Sequence, residues 1–156
     1  WKDERVRQLL MGESVEPLTG RPLRGGVAEG DLVVTNLTVG THLIGTPWMP
    51  SLDGTILVLE DVGEAPYRID RMLTHWRTAG LLQNLAGIGL GHFRWIPEDV
   101  LPGDLTLEEV LEDRLGDLGI PIVQGLPVGH GRPNKALPLG RRARLDAQTG
   151  TLSVIS

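Results

Sequence analysis

The sequence predicts an α/β domain built on a mixed sheet, with helices packed against the sheet and a hairpin at the C-terminus. Three observations predict it. The run Ile56-Leu57-Val58-Leu59, bounded by Gly54, is continuously apolar and reads as a strand buried on both faces. Behind Pro66, the residues Ile69, Met72, Leu73 and Trp76 recur at helical spacing. At the end of the chain, Arg142 to Leu145 and Leu152 to Ile155 flank the turn DAQTG and read as a hairpin. Strands that alternate with helices and close in a hairpin make a mixed sheet.

A length of 156 residues suits one domain with its own core. The hydrophobic fraction of 40% and charged fraction of 22% are those of an ordinary globular chain. A net charge of −5 argues against a general nucleic-acid partner. The absence of cysteine removes disulfides, thiolate catalysis and cysteine metal sites. No apolar run approaches the ~18 residues of a membrane span, so no membrane partner is expected.

In chain order, Lys2 to Leu10 reads as a short helix stopped by Gly12. Ser14 to Gly26, rich in Gly, Pro and Arg, reads as a linker. The organisation expected is therefore a helix and linker over 1–25 and the main domain over 26–156. DLVVT, 31–35, has β propensity. Asn36 is a suitable N-cap for a helix reaching Ile44, although Gly40 weakens it. GTPWMPSLDG is a loop, and the helix from Pro66 is expected to end near Ala79 before Gly80. LAGIGL, 85–90, reads as a short buried strand whose glycines allow close backbone approach. Arg94 to Asp104 is a polar loop. Thr106 and Glu109 form a T-x-x-E capping box for a helix reaching Leu115. Pro121 to Val123 is a strand, and 125–140 is a long loop of glycines and prolines.

Chemistry concentrates at two strand ends. Glu60, Asp61 and Glu64 follow the apolar run. Asp61 and Glu64 can be explained by the dipole at a helix N-terminus, whereas Glu60 abuts the run and is less free to be a solvated cap. His130 stands between two glycines in VGHGRPN, just after a buried strand, where the backbone can turn sharply and leave the imidazole accessible. An exposed loop histidine is the competing explanation. His42 and His75 fall in predicted helices, and His92 precedes a loop with no nearby companion. No HExxH or paired-histidine spacing suggests a metal. If the strands are parallel, Glu60 and His130 share one sheet edge, where a carboxylate and an imidazole could act as a base and its orienting partner. Neither Ser14, Ser51, Ser153 nor Ser156 lies in a G-x-S-x-G elbow, so the residues supply two of the three groups of a triad.

The ordered set GDLVVTNLTVGTHLIGTPWMP, LEDVGEAPYRIDRMLTHWRTAG, TLEEVLEDRLGDLGIPIVQGLPVGHGRPNKALPLG and ARLDAQTGTL, from about Gly30 to Leu152, resembles the C-terminal domain of the LD-carboxypeptidase family, the serine peptidases of murein recycling, with microcin-C immunity peptidases as relatives. The resemblance implies a swivelling β/β/α-type domain. It also implies a partner domain, N-terminal and Rossmann-like, that carries the nucleophilic serine and is absent from these residues. By motif position, Glu60 in LEDVGE and His130 in GHG would be the catalytic acid and base. The implied substrate is a cytoplasmic muropeptide ending in D-alanine; no cofactor or metal is implied, and the family often forms homodimers. The isolated chain is expected to be inactive. A reading from another class remains: a peptide-binding or interaction domain in which Glu60 and His130 serve structure alone. A microcin-immunity type of peptidase half is a further alternative.

Overall fold

The computed structural model describes residues 4–100 and 102–155. Four helices and eight strands are α1 (Glu4–Leu10), β1 (Leu18–Thr19), β2 (Arg21–Arg24), β3 (Val27–Asn36), α2 (Leu37–Thr41), β4 (Ile56–Val62), α3 (Pro66–Thr78), β5 (Gly87–Arg94), α4 (Leu107–Leu115), β6 (Ile122–Gln124), β7 (Arg142–Asp146) and β8 (Thr151–Val154). All eight strands form a single mixed sheet in the order β1-β8-β7-β3-β4-β5-β6-β2. Strands β3, β4, β5 and β6 run parallel, and the others pair antiparallel.

The stretch 14–26 corrects one expectation. It is not a linker: it supplies β1 and β2, which form the two opposite ends of the sheet. Only Gly20 separates them, so the sheet curls until its ends nearly meet and takes a nearly barrel-like shape. Gly20 sits in the seam, its N–H bonded to the Gly150 carbonyl at 2.8 Å, and a Cβ there would overlap the Gln124 carbonyl. Proline and glycine obscure these strands in the sequence because end positions need few ladder donors.

Strand β3 is also twice as long as its β-branched core suggests. Val27 to Asp31 pair with β7, and Leu32 to Asn36 pair with β4, so one strand belongs to both halves of the sheet. Gly30 lies at the changeover, where a Cβ would overlap the Gly54 carbonyl.

Closure creates two cores. Inside the curl lie Leu18, Leu32, Ile56, Val58, Val123, Leu126, Leu145 and Leu152. Outside it, α2, α3 and α4 cover Leu57, Leu59, Ile88, Leu90 and Ile122. Helix α3 contributes Ile69, Leu73 and Trp76, all essentially fully buried, at about 1.5–3 kcal/mol for each large apolar side chain. The Trp76 indole N–H donates to Thr41 Oγ1 at 2.8 Å, so burial leaves no polar atom stranded. Pro66 stands at the start of α3 and Gly80, at φ 77°, follows its end. Both halves of the α4 capping box form. Arg114 of α4 pairs with Asp70 of α3 at 2.5 Å, and Arg77 of α3 pairs with Asp117, just past the end of α4, at 2.6 Å.

Two boundaries differ from expectation. Helix α2 ends at Thr41, four residues after its start, and the chain continues in turns to Gly45. Strand β5 runs on past the expected end at Leu90 to Arg94, the first residue of the expected loop. In α1 the buried residue is Arg5, while Leu10 is exposed; Lys2, the expected start of that helix, lies outside the described residues. Among the described residues no helix is long and apolar enough to cross a membrane.

Candidate active site

Strand alternation decides which carboxylate goes where. Ile56 and Val58 point into the barrel-like core, and Glu60 continues on that face; Leu57 and Leu59 point toward the helices, and Asp61 continues on theirs. Glu60 is 7% exposed and Asp61 is 1% exposed, so both need partners.

Asp61 finds its partners at α2. Its Oδ2 accepts from the Thr38 N–H at 2.8 Å and from the Thr38 hydroxyl at 2.9 Å, and its Oδ1 accepts from the Asn36 amide at 3.1 Å. Asn36 in turn accepts from the Val39 N–H at 2.9 Å. This is a helix-terminus role, but at α2 and not at α3, the helix that follows Asp61 in sequence. Glu64 pairs with Arg68 at 3.7 Å, one helical turn on.

Glu60 meets His130. Its Oε2 accepts from the His130 backbone N–H at 3.2 Å and lies 2.8 Å from Nδ1. An ionised carboxylate only accepts, so Nδ1 carries the proton and Nε2 presents its lone pair. The His130 side chain is 56% exposed, against 9% for that of Glu60. A buried acid thus holds one end of an imidazole whose other end is free to meet a reactant.

The pairing rests on three local features. Strands β4, β5 and β6 are parallel, so the C-terminal end of β4 and the loop after β6 share one edge. Register is broken beside Glu60: Leu59 pairs with Leu90, but Asp61 pairs with Phe93, so Gly91 and His92 together oppose Glu60. Such a bulge re-aims side chains locally. Gly91 leaves room for Glu60 and for the Val128 carbonyl. Finally, Gly129 has φ 98°, a conformation that favours glycine, and a Cβ there would overlap the Glu60 carboxylate.

Of the other histidines, His75 is exposed on α3. His42 caps α2, with Nδ1 2.7 Å from the Thr38 carbonyl. His92 lies beside the site, with Nε2 3.2 Å from the Pro133 carbonyl. Sequence reasoning set His92 aside because its partners stand some forty positions away. Ser14, Ser51 and Ser153 make no hydrogen bond to His130 among the described residues, and Ser156 lies outside them. Among the described residues no group of three His, Asp or Glu side chains could hold a metal ion.

The chain matches known proteins over nearly its whole length. The family profile of the LD-carboxypeptidase C-terminal domain covers residues 29–145. A protein of Synechocystis sp. named "Putative carboxypeptidase" is 52% identical over 99% of this chain and 52% of its own length. The murein tetrapeptide carboxypeptidase of Pseudomonas aeruginosa is 35% identical over 90% of this chain and 46% of its own length. Among solved structures, the muramoyltetrapeptide carboxypeptidase from Oxalobacter formigenes superposes with a TM-score of 0.82 at 32% identity, covering 95% of this chain and 51% of that one. The chain therefore spans about half the length of the curated relatives it matches.

Proposed function

The chain belongs to the LD-carboxypeptidase family as its C-terminal domain, and we propose that it supplies the acid and the base of a Ser-Glu-His peptidase that releases terminal D-alanine from murein tetrapeptides. The observation that carries this reading is the contact between Glu60 Oε2 and His130 Nδ1, 2.8 Å apart at the parallel edge of the sheet. The serine would come from a further domain of the same protein, in the half of the relatives' length that this chain does not span.

In this reading His130 Nε2 takes the serine proton as the hydroxyl attacks the scissile carbonyl. The same nitrogen then returns the proton to the amine of the departing D-alanine. Glu60 keeps the proton on Nδ1 before the attack and stabilises the imidazolium formed during it. Burial of Glu60 strengthens that interaction, because little water competes for the carboxylate. No residue of the dyad calls for a metal or cofactor. A cytoplasmic setting and a homodimeric assembly belong to the same reading and rest on the family resemblance alone.

The murein substrate is favoured over a microcin-type peptide by the comparisons. The muramoyltetrapeptide carboxypeptidase is the nearer of the two in structure, at 0.82 and 32% identity, against 0.75 and 26% for the microcin C7 self-immunity protein MccF bound to glutamyl sulfamoyl guanosine.

The test is turnover of a murein tetrapeptide ending in D-alanine by the full-length gene product. The expected result is release of D-alanine that His130→Ala reduces by about three orders of magnitude or more, with no turnover by residues 1–156 alone. Unchanged turnover in His130→Ala would overturn the assignment. Cleavage of an aminoacyl sulfamoyl nucleoside in place of the tetrapeptide would transfer the mechanism to the microcin-type substrate.

A further inference from the structure

We propose that His92 is a positioning residue for the dyad, a second imidazole that clamps the loop on which His130 is presented. The proposal rests on the catalytic reading of Glu60 and His130 given above. His92 touches that loop on both sides of residue 130. Its backbone N–H donates to the Val128 carbonyl at 2.9 Å. Its Nε2 lies 3.2 Å from the Pro133 carbonyl, which can only accept, so Nε2 is the protonated nitrogen. Its ring lies against Gly131, so closely that a Cβ at that position would overlap it.

The bulge explains how one residue does this. Gly91 and His92 jointly oppose Glu60, so the bulge that makes room for the acid also turns His92 toward the loop. After the bulge, Phe93 packs into the core under the helices, while His92 and Arg94 project from the opposite face. Arg94 reaches the His130 carbonyl at 3.4 Å. The loop has other ties: the Gly129 N–H to Asn134 Oδ1 at 3.0 Å, and the Lys135 N–H to the Pro127 carbonyl at 2.7 Å. These run from loop to loop. Glu60, through the His130 backbone N–H, and His92 and Arg94 tie the loop to the sheet, and of the three His92 also packs its ring against it. His130 itself is mostly exposed and makes its side-chain bond to Glu60, so the direction of Nε2 depends on where the backbone of residues 128–133 is held.

The experiment pairs turnover with a readout that needs none. In the full-length gene product, His92→Phe is expected to lower kcat roughly 10–100-fold, the scale on which an ångström-level misplacement acts, with KM within about twofold, as for a residue that acts through the loop rather than on the substrate. His92→Gln, whose amide N–H can still reach the Pro133 carbonyl, is expected to recover most of that loss. Gly131→Ala, whose methyl group would displace the ring, is expected to lose as much as His92→Phe, and His92→Ala combined with Gly131→Ala to lose little more than either alone, since both act on one contact. In the protein itself, the proton on His130 Nδ1 shared with Glu60 is expected as a low-field NMR signal that His92→Phe broadens or shifts. That signal is read without turnover, so it decides the positioning role even where the substrate assignment fails. An unchanged signal and unchanged kcat in His92→Phe overturn the proposal. So do losses that multiply in the double variant.

Discussion

Glu60 Oε2 receives both the side chain and the backbone N–H of His130, at 2.8 and 3.2 Å. Two bonds from one residue to one oxygen fix the imidazole in position as well as in tautomer. Replacing the carboxylate by an amide keeps the shape but lets the amide nitrogen face Nδ1. Glu60→Gln in the full-length gene product is therefore expected to lower kcat by about 10³–10⁴-fold while circular dichroism stays unchanged. Activity within a few-fold of wild type would mean that Glu60 only supports the loop.

Gly129 is the residue through which the loop clears that carboxylate. Gly129→Ala meets two penalties at once, a φ of 98° and overlap with Glu60. The backbone term alone is worth about 1–3 kcal/mol, or several degrees in Tm for a chain of this size. A thermal melt within a degree of wild type would show that the loop relaxes without strain.

The seam at Gly20 leads to a prediction about truncation. Removing residues 1–24 deletes both β1 and β2, uncovers β8 and β6, and takes Leu18 out of the inner core. Residues 25–156 alone are expected to melt without cooperativity and to aggregate through the bared strands. A single cooperative transition near the Tm of the whole chain would show that 14–24 is dispensable, as a linker would be.

The capping box of α4 makes a small, signed contribution to acid stability. Hydrogen bonds from the Thr106 backbone and hydroxyl to Glu109 hold its carboxyl below the ordinary value of 4.5. A depressed folded-state pKa means that the contribution is present above the unfolded value and is lost as pH falls through the folded one. Glu109→Gln is expected to flatten the fall in stability below about pH 4.5 and to leave the neutral-pH fold intact. Denaturant titrations at pH 3, 4 and 7 check this, and an acid-limb slope equal to wild type would remove the contribution.

Much of this was legible along the chain, because it depends on residues a turn or a strand apart. The apolar run of β4 states its own burial, and period two then sends Glu60 and Asp61 to opposite faces. Pro66, Gly80 and the Thr106–Glu109 box mark helix ends by chemistry confined to three or four residues. The ordered family motifs mark Glu60 and His130 by position in the sequence. Other features depend on contacts between segments far apart, which no local pattern encodes. Leu18–Thr19 and Arg21–Arg24 are strands only because β8 and β6 offer them ladders more than a hundred positions away. Asp61 serves α2, behind it in sequence, because β3 and β4 lie side by side. His92 looked solitary because its companions, Val128, Gly131 and Pro133, reach it only through the parallel pairing of β5 with β6 and the bulge beside Glu60. The sequence by itself determined where most elements start and stop, since periodicity, caps and turns act within a few residues. The closing of the sheet on itself, and with it the meeting of Glu60, His130 and His92 at one edge, was decided only by tertiary packing, where one register shift in β5 moves every contact at that edge.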